Sequence, residues 1–109
     1  MKEKSKTDEL ISVSMQIIMH AGNARNLADE AFNSAKKTNF KQAAEQLKQA
    51  TEQLVKAHNA QTNIIQSEAK GIKYDYSPLF AHAQDTLMTI SSEINCDQKM
   101  IEILKLISI

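Results

Sequence analysis

Leu10, Ser14, Ile17, Ala21, Ala24, Ala28, Ala31 and Ala35 follow one another at intervals of mostly three and four residues, the period that lines one face of an α-helix. Thr7 is the expected N-cap, with Asp8 and Glu9 in the first turn, where carboxylates meet the positive end of the helix dipole. Lys36 and Lys37 suit the opposite end. A second run, Phe40, Ala43, Leu47, Ala50, Leu54, Ala57, Gln61 and Ile64, keeps the same alternation behind a cap at Thr38 or Asn39, and Gly71 falls where a helix C-terminus favours glycine. Ile72 to Tyr76 is a loop. Ser77 followed by Pro78 reads as N-cap and first helical residue, since proline has no N–H to leave unpaired there. The face Ala83, Leu87, Ile90, Ile94 and Ile101 then continues towards the end of the chain. These patterns predict helices over 8–36, 40–69 and 78–107 in a single domain spanning 1–109. The expected architecture is all-α: an up-down-up three-helix bundle of helices about 45 Å long at 1.5 Å per residue.

Some apolar residues do not fit one core. Ile11, Met15 and Ile18 form a second stripe on the first helix. On the third, a line runs through His82, Asp85, Thr89, Ser92, Cys96, Met100, Ile103 and Ile107, polar at its start and apolar at its end. A monomeric bundle buries one face per helix, so a second face implies a cover, and another copy of the chain is the commonest one.

Composition narrows the chemistry. The 109 residues include two glycines and one proline. Gly22 and Gly71 cannot make a dinucleotide fingerprint or a phosphate loop, and so few turn residues cannot serve many β-hairpins. Thirteen basic and thirteen acidic side chains balance to zero formal charge, which argues against nucleic acid as a partner. Lys2, Lys4 and Lys6 are interrupted by Glu3 and followed by Asp8 and Glu9, and Ser12, Ser14 and Gln16 break the apolar run behind them, so no signal peptide is expected. No stretch approaches the ~20 apolar residues that cross a bilayer. One cysteine, Cys96, forms no internal disulfide, and a cytoplasmic setting is the expectation.

Three histidines are present. His82 and Asp85 stand three apart and Thr86 four, so these side chains are neighbours on a helix, whereas Gln84 points roughly 160° away from His82. One reading is a surface histidine beside an aspartate; the other is an imidazole acting as nucleophile or base. His20 and His58 lie near core lines and read as structural. Ile17, Val55 and Leu79 occupy the positions three before the histidines, so the Glu-x-x-His pattern of di-metal bundles is missing. Cys96, fourteen residues beyond His82, lies about 21 Å away along a straight helix, too far for a Cys/His pair within one chain.

The segment His82-Ala83-Gln84-Asp85-Thr86-Leu87-Met88-Thr89 resembles the phosphorylation segment of the lactose/cellobiose-type enzyme IIA of the bacterial sugar phosphotransferase system (PTS). Ala21-Gly22-Asn23-Ala24-Arg25 and Ala57-His58-Asn59-Ala60-Gln61-Thr62 are similar to the family's first- and second-helix segments. The resemblance runs from about Glu9 to about Leu106. It implies a homotrimeric three-helix bundle in which His82 carries the phosphoryl group as a tele-phosphohistidine, taken from HPr and passed to a cysteine of enzyme IIB. Asp85 would share a divalent metal, Mg²⁺, with two other copies at the trimer axis. Thr86, Thr89 and Gln84 are candidates to support the phosphoryl group. Thr86 stands where many members carry a second histidine, and a hydroxyl brings no charge to that place. By resemblance the sugar leans towards cellobiose or chitobiose rather than lactose, and no direct membrane insertion is expected. Two other classes remain open: a non-enzymatic helical interaction or scaffold module, and a histidine phosphorelay domain.

Overall fold

The computed structural model describes residues 5–108; Lys2 and Lys4 of the basic run, and Ile109, lie outside the described residues. The chain forms three long helices, α1 (Lys6–Lys36), α2 (Phe40–Ala69) and α3 (Pro78–Ile107), in a rod measuring 61 × 25 × 20 Å.

Helix α1 begins two residues earlier than its first-turn carboxylates suggest. The N-cap is Ser5, not Thr7: the Ser5 hydroxyl accepts a hydrogen bond from the Asp8 amide at 3.1 Å, and Asp8 falls at the third helical position. Ser-x-x-acid is itself a capping pattern, and with Ser5 as cap the helix gains Lys6 and Thr7 while Asp8 and Glu9 stay in its first turn. The other two starts agree with expectation. Asn39 caps α2 by accepting from the Gln42 amide at 3.2 Å, and Ser77 caps α3 by accepting from the Phe80 amide at 3.1 Å, with Pro78 in the first turn.

Both ends that lead into a connection close in the same way. At the end of α1, the Thr38 amide donates to the Ala35 carbonyl and the Asn39 amide to the Ser34 carbonyl; at the end of α2, Gly71 donates to Glu68 and Ile72 to Ser67. This is the Schellman arrangement, which needs a left-handed residue at its turning point. Gly71 takes that conformation freely at φ 97°, but at φ 62° Thr38 is a β-branched residue held where its Cβ crowds the backbone.

The α1 face predicted from periodicity is buried in full, from Leu10 to Ala35. Five of its members are alanines, and α2 answers with Ala43, Ala50 and Ala57, so the helices approach closely while Ile17, Ile64, Leu87, Ile90 and Ile94 fill the centre. Ser14, fully buried, donates to the Leu10 carbonyl at 2.6 Å, which satisfies its hydroxyl within the helix. Side-chain bonds add to the packing: His20 Nδ1 pairs with Gln53 Oε1 at 2.8 Å between α1 and α2, and the Tyr74 hydroxyl donates to Glu9 at 3.3 Å, tying the α2–α3 loop to α1.

α1 packs along both neighbours, but α2 and α3 meet each other only sparsely. This alters the expected α2 face. Ala43, Ala50, Ala57 and Ile64 are buried, whereas Phe40, Leu47, Leu54 and Gln61 are only half-buried, the first three where they border the open seam towards α3. Replacing Thr38 by Gly should raise stability by about 0.5–1 kcal/mol, the relief of left-handed strain less the extra unfolded-state freedom of glycine. Urea denaturation measures this, and a variant no more stable than the parent would show the turn to be unstrained.

Candidate functional site

α3 presents its first turns to solvent on one side. The side chains of His82, Asp85 and Thr89 are exposed along that face, and Ser92, Cys96, Met100, Ile103 and Ile107 continue it to the end of the helix, all exposed. The second stripe inferred from the sequence is therefore uncovered within a single chain. Ile11 and Met15 of α1 are likewise about half exposed, at 46% and 53%.

Within this face the roles divide by geometry. His82 is the exposed histidine; His20 and His58 are half-buried, and His20 is engaged with Gln53. The Thr86 hydroxyl donates to the backbone carbonyl of His82 at 2.8 Å, one turn back, so its proton is committed to the helix. Thr89 stands a further turn along with an exposed hydroxyl. Gln84 does not join this face: it is half-buried and borders a cavity of about 210 Å³ with Phe80, Tyr74 and Glu68, beneath the α2–α3 loop. A larger cavity of about 540 Å³ lies between that loop and the start of α1, lined by Ile11, Tyr74, Tyr76 and Leu79 among others.

Among the described residues, no group of three or more His, Cys, Asp or Glu side chains is placed to hold a metal ion within one chain. Asp85 offers one exposed carboxylate. Hard oxygen donors of this kind suit Mg²⁺, but one per chain makes a site only when several copies converge.

A polar patch that sequence reasoning passed over lies further along. Arg25 of α1 forms a two-pronged ion pair with Glu93 of α3, Nε to Oε1 at 3.2 Å. Asp29 and Asp97 flank it, beside Cys96, around a surface depression that also touches Thr89 and Ser92. The signal was available as two acid-bearing i, i+4 pairs, Arg25/Asp29 and Glu93/Asp97, but only tertiary packing brings the two helices together. Partial burial, reinforced by Asp29 and then Glu93, holds the Asp97 carboxyl above its ordinary range.

Fold and face together define a class: a small, wholly helical protein displaying one solvent-facing histidine with a carboxylate and hydroxyls on the same strip of helix. No helix among the described residues is long and apolar enough to cross a membrane. The family model described as "PTS system, Lactose/Cellobiose specific IIA subunit" matches residues 12–105. The chain is 40% identical over 96 residues to the lichenan-specific phosphotransferase enzyme IIA component of Bacillus subtilis (strain 168), covering 88% of this chain and 87% of that protein. Its structure is similar to that of the PTS cellobiose-specific enzyme IIA from Bacillus anthracis, with a TM-score of 0.84, 35% identity and coverage of 94% and 92% of the two chains. It is also similar to the IIA protein in the IIA(chitobiose)–HPr complex of Escherichia coli, with a TM-score of 0.77, 30% identity and coverage of 95% and 96%. The chain belongs to the lactose/cellobiose-specific IIA family, the sugar-specific IIA components of the PTS, which are phosphotransfer proteins.

The raised Asp97 carboxyl has a definite consequence for stability. A carboxyl whose folded value lies above its unfolded one favours the fold while protonated, and that contribution is lost as pH rises through the folded value. Asp97→Asn should therefore be slightly more stable than the parent at neutral pH, with the advantage vanishing below the ordinary aspartate range near pH 4. Denaturation midpoints compared across that range test it, and a difference independent of pH would refute it.

Proposed function

We propose that the protein is the IIA phosphoryl carrier of a sugar PTS and that His82 is its phosphorylated residue. The observation that carries this reading is exposure: of three histidines, His82 alone stands open to solvent, on the segment that resembles the family's phosphorylation site. A histidine that must reach the active residue of one protein and then that of another has to be accessible to both.

The steps follow from that. The neutral Nε2 of His82 attacks the phosphorus of the phosphohistidine on HPr; the donor's N–P bond breaks as the new N–P bond forms. Afterwards the cysteine thiolate of enzyme IIB attacks the same phosphorus, forming an S–P bond and returning the His82 electron pair. Such transfers depend chiefly on in-line positioning and charge stabilisation. Among the described residues this chain brings no phosphate loop and no cationic cluster to His82, so the partners would supply most of the charge compensation. Thr89 is the hydroxyl free to donate to a phosphoryl oxygen, whereas Thr86 holds the His82 carbonyl and would have to turn to do so. Gln84 would require a partner surface that reaches round the helix. The protein named as the HPr-bound relative supports HPr as donor.

We further propose that the chain acts as a homotrimer in the cytoplasm. Three copies sharing an axis along α3 would cover the exposed stripe and bring three Asp85 carboxylates together, where Mg²⁺ would offset their mutual repulsion. Identity of the sugar rests elsewhere: relatives of comparable identity carry names for lichenan, lactose, galactose, cellobiose and chitobiose, and we favour cellobiose or chitobiose only on the resemblance of the His82 and His58 segments.

Incubation with enzyme I, HPr and labelled phosphoenolpyruvate should give acid-labile, base-stable label on the protein. His82→Gln should abolish it, while His20→Gln and His58→Gln retain it; label persisting in His82→Gln would remove that residue from the role, and no label at all would favour a scaffold module. Thr86→Val should slow transfer less than about tenfold, below the 10²–10⁴-fold of a lost acid–base group. Chelation should loosen the native assembly but not that of Asp85→Leu, as seen by sedimentation; an assembly indifferent to chelator in both would dismiss the shared metal.

A further inference from the structure

The end of the rod opposite His82 gathers lysine and apolar side chains. Two bonds between helices fix which residues share a level. Arg25 meets Glu93, 68 positions on, and α1 and α3 run the same way, so Lys36 stands level with Leu104 and the α1–α2 turn with the last turn of α3. The Ser34 hydroxyl donates to Gln46 at 2.8 Å, which sets Lys36 level with Ala44 on the antiparallel α2. The described residues from these levels outward are 36–44 and 104–108. They hold four lysines, Lys36, Lys37, Lys41 and Lys105, all exposed, and no acidic side chain, in a chain whose charges otherwise balance. The first acids behind them are Glu45 and Glu102.

The same end is apolar at its tip. Leu106 is 83% exposed and Ile107 69%. Leu106 stands about 100° round the helix from Ile107, so a cover over the strip that carries His82 does not account for it. Half-buried Phe32 and Phe40 lie behind, and the Lys36 ammonium sits 5.4 Å from the centre of the Phe32 ring. Lysine stems lie along apolar surface of this kind while their charges reach outward.

A partner that fits this end offers negative charge in a broad layer with apolar material just behind it. A second copy of the tip would bring lysine against lysine. A nucleic-acid backbone answers the lysines but buries neither Leu106 nor Ile107. An anionic bilayer answers both, because its headgroups meet the ammonium groups and its acyl boundary receives the leucine and isoleucine. The helix ends limit the depth. α3 ends at Ile107, and Ser108 caps the Leu104 carbonyl with its amide and hydroxyl, so the carbonyls beyond rely on water.

We propose that this end of the protein adsorbs to an anionic bilayer surface, with Leu106 and Ile107 at the acyl boundary, the four lysines among the headgroups, and no helix inserted. From His82 to Leu106 is about 36 Å along α3 at 1.5 Å per residue. A protein standing on this end holds its histidine clear of the lipid and open to protein partners. Adsorption requires nothing of the phosphoryl site, so it stands or falls apart from the carrier role.

The test is co-sedimentation of the full chain with vesicles of phosphatidylglycerol and phosphatidylcholine, against vesicles of phosphatidylcholine alone. Binding is expected on the anionic vesicles only, weakening as salt rises. Each lysine near an anionic surface contributes about fivefold, so Lys36→Gln/Lys37→Gln should lower the partition coefficient more than about tenfold. Lys70→Gln/Lys73→Gln makes the same charge change at the opposite end and should leave it nearly unchanged. Leu106→Ser keeps the charge and should lower it about tenfold. Circular dichroism and sedimentation check that each variant keeps the parent's helices and assembly. No binding to anionic vesicles, equal loss from both lysine pairs, or full binding by Leu106→Ser would overturn the proposal. Retention of a duplex oligonucleotide through Lys36 and Lys37, with none of the vesicles, would overturn it in favour of nucleic acid.

Discussion

The alanine face of α1 is the constraint from which the remaining architecture follows. Ala21, Ala24, Ala28, Ala31 and Ala35 carry almost no exposed surface, and their short side chains let α2 and α3 lie close on either side of the same helix. A face so narrow cannot also bring the outer helices together. They lean on α1 and leave a gap between themselves, with Phe40, Leu47 and Leu54 half-covered along it. The isolated chain is thus a sound fold with unfinished surfaces, among them the exposed stripe that runs along α3.

That incompleteness suits the carrier role proposed for His82, in which the site is reached by proteins and does not enclose a small molecule. An enzyme that binds a metabolite needs concavity, because only there are many contacts made at once. Here His82 stands on a convex helix, its carbonyl held by Thr86 and its helix start fixed by Ser77 and Pro78. What is preorganised is the backbone beneath the imidazole. In the proposed carrier role, phosphoryl transfer at His82 would draw its remaining geometry from whichever partner is docked.

The legibility of these features followed their range along the chain. Burial on α1 and α3 was read residue by residue, since Ala83, Leu87, Ile90, Ile94 and Ile101 are a pure 3.6-residue pattern and nothing competes with it. Caps were legible where one candidate stood alone, as with Ser77, and missed where two stood close, as with Ser5 and Thr7: both can accept from an amide, and only the path of the first turn chooses. The left-handed Thr38 could not be read, because a β-branched residue is a poor candidate for that conformation and is held there by the short link into Asn39.

Periodicity, capping chemistry and scarcity of glycine determined by themselves that the chain is three antiparallel helices with surplus apolar faces, for these are local properties of the backbone and its side chains. The segment around His82 also declared its kinship locally. The helical period already sets Gln84 off the His82 face and Thr89 on it; the tertiary structure alone decided that Gln84 lies under the α2–α3 loop and that Arg25 meets Glu93 across two helices. It also decided that the α2–α3 seam stays open. Each of these depends on the spacing and rotation of one helix against another, set by the volumes packed between them, and no interval along a single helix encodes that.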